Sequence, residues 1–233
     1  AVTFVYDGTM SEYVMPTRPP QEGWDLHCHT VFSDGTRTPR EMVQEAKSLG
    51  LHGVAIADHD TTAGWEEAGQ ASHDLHLPLM RGTEITAQDG NVSVHMLAYL
   101  YDPRNRHICD LFEKTRRSRV ERTKKMVALL AKDYPISWQS VLEQTKEGSR
   151  TTIGRPHIAD ALVAAGGYAN RNEAFADAVS THSKYYIPTP SPSTSEVVRA
   201  VEGAGGVSVI AHAADPSRKR VLLSHEQIAR PAH

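Results

Sequence analysis

The stretch WDLHCHTVFSDGTRTPREMVQEAKSLGLHGVAIADHD, residues 24–60, reads as strand, helix, strand. Trp24–Thr30 forms the first strand, and "GVAIADHD" is a short apolar run of the kind found in buried parallel strands. Between them, Thr38 stands where a helix needs a cap, Pro39 at the first helical position, Glu41 in the first turn and Gly50 just past the end. Met42, Val43, Ala46 and Leu49 recur at helical spacing. Such a unit joins parallel strands by a right-handed crossover. A second helical stretch, "AGWEEAGQASHDL", leads to a strand near "LPLMRGTEITA", so the alternation predicts an α/β core on a parallel sheet. "AQDGNVSVHMLAYL" adds a turn at Asp89–Gly90 and one more strand.

From about Asp102 the rhythm changes. Residues 106–200 are mostly helical in pattern, with "CDLFEKTRRSRVERTKKMVALLAK", "WQSVLEQTK", "RPHIADALVAAGG", "RNEAFADAVS" and, after the loop "YIPTPSPSTS", "SEVVRAVEGAGG". The strand-like "GVSVIAHA" then returns to the first rhythm. The expected division is an extended arm over 1–23, an α/β domain over 24–105 and 201–233, and a helical insertion over 106–200. No internal repeat is present.

Composition narrows the function. The chain has 233 residues, 39% hydrophobic and 23% charged, with a formal charge of −3. That balance creates no global field for nucleic acid or membrane surfaces, and no apolar run approaches the length needed to span a bilayer. The start lacks the basic-then-apolar order of a secretory signal. Two cysteines, Cys28 and Cys109, imply no disulfide framework and place the chain in a reducing cytoplasm. Thirteen histidines are the compositional oddity.

Several of these histidines fall at predicted strand ends. On strand Trp24–Thr30, residues two apart share a face, so His27 and His29 project together and Cys28 points away. Asp34 lies in the loop beyond. Asp58, His59 and Asp60 end the second strand, Glu84 ends the third, His95 lies in the next and His212 ends "GVSVIAHA". Functional residues of parallel α/β folds gather at the carboxyl ends of strands. A surface or structural role explains one histidine there, but not this many together. Imidazole and carboxylate donors suit Zn, Mn or Fe(II), and the supply exceeds the need of one tetrahedral ion. A carboxylate such as Glu84 could bridge two ions, and close metal pairs serve phosphoester hydrolysis, in which an acidified water supplies the attacking hydroxide.

"DLHCHTVFSDGT", "GVAIADHDTTAG", "GTEIT", "VHMLAY" and "VIAH" resemble, in order, the motifs of the PHP (polymerase and histidinol phosphatase) family of metal-dependent phosphoesterases, over residues 24–101 and about 206–215. The subgroup it looks most similar to carries a helical insertion and acts on 3',5'-bisphosphate nucleotides and short RNA 5' ends. The resemblance implies a distorted (β/α)7 barrel with two to three divalent ions (Mn, Fe or Zn). It gives His27, His29 and Glu84 to the first ion, Glu84, His95 and His212 to the second, and Asp34 and His59 to the third. Asp58 matches an acidic residue expected to orient an imidazole. The chain departs from the family pattern in two places. No Asp-x-His pair closes the C-terminus, where "EQIARPAH" stands, and Ala213 replaces the usual Pro. The barrel is therefore expected to be incomplete at its C-terminus by at least one β/α unit.

In "IGRPHIADAL", Arg155 and His157 open a helix with Pro156 at its first position, a suitable phosphate site. The resemblance turns this segment toward the metals. Arg218 and Arg220 are weaker phosphate candidates. The basic run "EKTRRSRVERTKK", which includes Arg119 and Arg122, reads as a solvated helix face rather than a nucleic-acid contact. His52, His73, His76, His107, His182 and His225 read as surface residues, and Tyr185 and Tyr186 as core or interface rather than base-stacking groups. The expected activity is removal of phosphate from a nucleotide such as AMP, its 3',5'-bisphosphate or an RNA 5' end, with no membrane partner. The alternatives are a histidinol-phosphate-type phosphatase and a non-catalytic, metal-stabilised binding module.

Overall fold

The computed structural model describes residues 23–90 and 92–213. The arm over residues 1–22, Arg218, Arg220, His225 and the C-terminal segment lie outside the described residues. Five strands form one sheet in chain order: β1 (Trp24–Cys28), β2 (Gly53–Ile56), β3 (Leu79–Asp89), β4 (Val92–Tyr99) and β5 (Val207–Ile210). Helix α1 (Pro39–Ser48) crosses from β1 to β2, and α2 (Trp65–Leu75) from β2 to β3. The start of α1 is set locally. The Thr38 hydroxyl accepts from Glu41 N while the Glu41 carboxylate accepts from Thr38 N, and Gly50 leaves the helix at φ +75°. Val43 and Ala46 on the inner face of α1 pack with Cys28, Val54, Ala71 and Leu77.

The parallel pairing expected of the β-α-β-α-β segment holds for β1–β2 and β2–β3. β4 runs antiparallel to β3, and β5 antiparallel to β4. For β4 the cause is the short connection read at Asp89–Gly90, where Gly90 adopts φ +55°: a turn of that length can only return the chain, whereas parallel strands need a helix between them. Glu84 consequently lies in the middle of β3, not at its end, and His95 in the middle of β4, where it pairs with Thr86.

The sheet is strongly curled. In a flat five-stranded sheet β1 and β5 would stand about 19 Å apart. Yet the ring centres of His27 on β1 and His212 just beyond β5 are 5.9 Å apart, with their planes nearly parallel. Tyr99 on β4 reaches across the concave face to donate its hydroxyl to Leu26 O on β1. A bulge between Asp25 and Cys28 bends β1 where this contact falls. Small residues line the concavity, with Ala55, Ala57 and Ala211 around Leu97 and Tyr99.

The remaining helices are α3 (Arg106–Leu130), α4 (Trp138–Leu142), α5 (Arg155–Ala164), α6 (Arg171–Ala176) and α7 (Thr194–Gly203). Val197 and Val201 of α7 pack on the convex face of the sheet against Ile85, Val94 and Met96, together with Ile108 and Phe112 from the first half of α3. The second half of α3 contributes Met126, Val127 and Leu130 to a separate cluster with Val141, Ile158, Leu162 and Val179. α3 thus belongs to two cores, and each large side chain buried in them contributes roughly 1.5–3 kcal/mol. Among the described residues no helix is long and apolar enough to cross a membrane. Cys28 and Cys109 are both free thiols, the first buried and the second exposed.

Gly82 on β3 pairs with Tyr99, and a Cβ there would lie 2.5 Å from the Tyr99 ring. Because the Tyr99 hydroxyl is tied to β1, the ring has no free direction in which to move. Gly82→Ala should destabilise the chain by about 1–3 kcal/mol, measured as a lower urea midpoint. An unchanged midpoint would mean that the curl does not depend on this contact.

Candidate metal centre

Five imidazoles surround one carboxylate on the concave face of the sheet. Glu84, its side chain 2% exposed, stands at the centre. Its Oε2 lies 3.1 Å from His27 Nε2, 3.0 Å from His29 Nε2 and 3.4 Å from His59 Nε2. Its Oε1 lies 2.8 Å from His95 Nδ1 and 3.0 Å from His212 Nε2. The rings form a closed circuit: His27 to His29, His59, His95, His212 and back, with centre separations of 5.0, 4.8, 5.2, 5.2 and 5.9 Å. Asp34 sits outside it, 3.6 Å from His29 Nδ1 and 3.8 Å from His59 Nε2. All seven residues singled out in the sequence as metal donors are therefore together. His59, expected with Asp34 alone, also approaches Glu84.

Backbone conformation contributes to this convergence. His212 and Asp60 adopt φ of +36° and +52°, left-handed values that cost energy for residues with a Cβ. At the carboxyl end of β2, Asp60 N donates to Glu84 O, which locks the Asp58–Asp60 turn to β3.

The electrostatics suit cations. Burial opposes ionisation of Glu84, but His95 and His59 outweigh it and hold its carboxyl well below the usual range. Burial likewise opposes ionisation of Asp34, yet His59 and His29 bring it to about 2. Burial pushes His59 down to about 3, so its imidazole is neutral and carries a lone pair at physiological pH. Donor atoms of three groups, His27–His29–Glu84, His29–Asp34–His59 and His59–Glu84–His95, each fall within 4.8 Å of one another. His27 Nε2 and His29 Nε2 are 3.1 Å apart. Ligands 2.0–2.1 Å from a shared tetrahedral ion are separated by roughly 3.3 Å, so these residues fit divalent metal.

Asp58 touches no imidazole. Its buried carboxylate accepts from Thr30 N (2.7 Å), Thr30 Oγ1 (2.6 Å) and Ser33 Oγ (2.6 Å). It reaches His29 through Ser33, whose Oγ lies 3.3 Å from His29 Nδ1. A turn between β1 and α1 is rich in unpaired donors, and the acid satisfies them. His157 accepts from Gly154 N at Nδ1 and lines a small cleft of about 140 Å³ with Ser33, Asp34, Lys146 and Arg171. Arg155 donates to Val179 O at 3.1 Å and lies over the Phe175 and Tyr186 rings.

Arg119 is the group the sequence concealed. Its Nε lies 2.8 Å from Oδ2 of fully buried Asp60, and it also donates to Thr86 Oγ1. It reads as part of a solvated basic run, but the helical stripe Ile108, Phe112, Thr115, Arg119, Arg122, Met126 carries the signal: both arginines occupy positions of the buried face. Tyr185, read as core, is buried, and His52, His73, His76, His107 and His182 are exposed as expected.

A model of the PHP domain matches residues 25–198 of the chain. The chain belongs to the PHP family. It is 26% identical over 189 residues to a 5'-3' exoribonuclease of Haemophilus influenzae, covering 81% of this chain and 68% of that one. To a 3',5'-nucleoside bisphosphate phosphatase of Chromobacterium violaceum it is 29% identical over 206 residues, covering 85% and 70%. The crystal structure of a proposed metal-dependent phosphoesterase from Bifidobacterium adolescentis is 67% identical and superposes with a TM-score of 0.90 over 92% of this chain and 75% of that one.

In this PHP chain, Arg119→Met should be strongly destabilising, by about 3–5 kcal/mol, because it strands a buried carboxylate. Adding Asp60→Asn should recover most of the loss, read from urea denaturation of the four variants of a double-mutant cycle. Additive losses would show that the two groups do not depend on each other.

Proposed function

We propose that this chain is a metal-dependent phosphoesterase that removes phosphate from a nucleotide, a 3',5'-bisphosphate nucleotide or an RNA 5' end, using two to three divalent ions (Mn, Fe or Zn). The observation that carries this reading is the division of Glu84: one oxygen faces His27, His29 and His59, the other His95 and His212. A buried carboxylate with both oxygens so committed suits a bridge between two ions. His27, His29 and Glu84 would hold the first, Glu84, His95 and His212 the second, and Asp34 with His59 a third. Bound there, the ions supply positive charge to the phosphoryl oxygens and acidify water to near-neutral pKa.

The chain's own groups do the rest. Asp60 and Thr86 fix the Arg119 guanidinium beside the cluster, where its remaining N–H groups can bind a phosphoryl oxygen. Acceptance of Gly154 N–H by His157 Nδ1 leaves the His157 proton on Nε2, as a donor at the Asp34 side of the site. Nucleotide substrates are favoured by the names of the two curated relatives. The curled sheet is the larger part of a distorted (β/α)7 barrel, with 106–200 inserted between β4 and β5. Within that insertion α3–α6 build their own core, and α7 returns to the sheet. Two free thiols suit a reducing cytoplasm.

Phosphate release should be measured with Mn(II) on AMP, adenosine 3',5'-bisphosphate, a 5'-phosphorylated dinucleotide and histidinol phosphate. The nucleotides should be hydrolysed. Glu84→Gln should lower the rate on the order of 100-fold or more and reduce the metal found by elemental analysis. A chain that holds Mn, Fe or Zn and yet releases phosphate from none of these would be a binding module rather than an enzyme.

A further inference from the structure

Helix α3 presents two different faces to its surroundings. Arg119 turns toward Asp60 beside the metal centre, and Arg122 toward the Tyr186 ring. Glu113 precedes Arg122 by two and a half turns and so points the opposite way. On that opposite flank α3 and the segment 142–153 enclose a cleft of about 820 Å³, against about 140 Å³ for the one beside Asp34. Pockets that take small organic ligands span roughly 300–1,000 Å³.

The walls of the cleft are apolar at Phe112, Val120, Leu142 and Ile153. One buried polar atom among them has nothing to bind: Thr152 is 3% exposed, and its Oγ1 has no hydrogen-bond partner. Its neighbours are committed, since the Thr151 hydroxyl donates to Val31 O and the Thr152 N–H to Phe32 O. A buried hydroxyl left unmet keeps the whole cost of leaving water, which is why such groups are nearly always satisfied. A water could meet this hydroxyl, but the rim carries unused charge as well. Glu113 and Arg117 are one turn apart in the order that favours an ion pair, yet α3 forms its pairs elsewhere, Arg106 with Asp110 and Lys124 with Glu121. Among the described residues Arg117 makes neither an ion pair nor a hydrogen bond. Arg116 beside it donates Nη2 to Ser149 O at 2.9 Å and keeps its other donors. Two cations against one acid leave the rim positive.

We propose that this cleft is a second binding site, separate from the metal centre, for an organic anion with an apolar body, of the class of aromatic carboxylates and sulfonates. The body lies between Phe112, Val120, Leu142 and Ile153. Thr152 supplies a hydrogen bond from the wall, and Arg117 and Arg116 receive the anionic group at the rim.

The test titrates the native, Zn(II)-loaded chain with 8-anilinonaphthalene-1-sulfonate, whose fused rings and single sulfonate match the site, and follows the dye's fluorescence. Val120→Trp fills the cleft and should weaken binding on the order of 10-fold or more. Arg117→Gln should weaken it roughly 5–10-fold and Glu113→Gln strengthen it about 2-fold, opposite signs that a purely apolar contact does not give. Cys109 also lines the cleft and is exposed, whereas Cys28, the chain's other thiol, is buried. Alkylation of Cys109 by N-ethylmaleimide should therefore slow several-fold in saturating dye. No binding, an affinity that ignores Val120→Trp, or one that moves the same way with Arg117→Gln and Glu113→Gln would overturn the proposal. Should Val120→Trp not fold, the wild-type Cys109 rate decides: equal rates with and without dye put the dye elsewhere and overturn the proposal too.

Discussion

A single buried carboxylate organises this molecule's chemistry. Glu84 contacts imidazoles from β1, from the β2 turn, from β4 and from the end of β5. For all of them to reach it the sheet must curl, and the curl is built from small residues on the concave face and from the Tyr99–Leu26 contact across it. Like-for-like imidazoles at such spacing repel once protonated, and a lone buried acid is costly to ionise. Each is tolerable only because of the other, or because a cation stands between them.

The helices beyond β4 act on this centre at several points. Arg119 of α3 neutralises Asp60 beneath the His59 turn. Arg171 of α6, forked onto Asp160 of α5, donates to Asp34 O, and Lys146 donates to Thr36 O. Thr151 and Thr152 bind the carbonyls of Val31 and Phe32. The loop that carries Asp34 is thus held from the helical side, whereas its base is held by Asp58 from the sheet side. Damage to the helical core should reach the site through this loop even though most of the imidazoles sit on the sheet.

Much of this was legible one residue at a time. Thr38, Pro39, Glu41 and Gly50 mark the ends of α1 because capping is a local hydrogen-bonding requirement. The apolar runs of β2 and β5 and the helical periods of α3, α5 and α7 are likewise properties of short segments. So were the seven metal-donor candidates, since the side chains that chelate cations are few, although Glu84 and His95 lie inside strands rather than at their ends. Arg119 was not legible, because a charged side chain on a buried helical stripe shows its purpose only when its acid partner, 59 positions earlier at Asp60, is seen beside it.

The sequence by itself determined the main elements and the candidate donors, because hydrophobic period, caps and side-chain chemistry are written in consecutive residues. Tertiary structure alone decided that the sheet curls until the His27 and His212 rings stack, that β5 runs antiparallel to β4, that Asp58 accepts from Thr30 and Ser33 and reaches His29 only through Ser33, and that Arg122 and Arg155 share the Tyr186 ring. Those outcomes depend on which distant groups share a desolvated space, where pairing and repulsion act across the fold rather than along the chain.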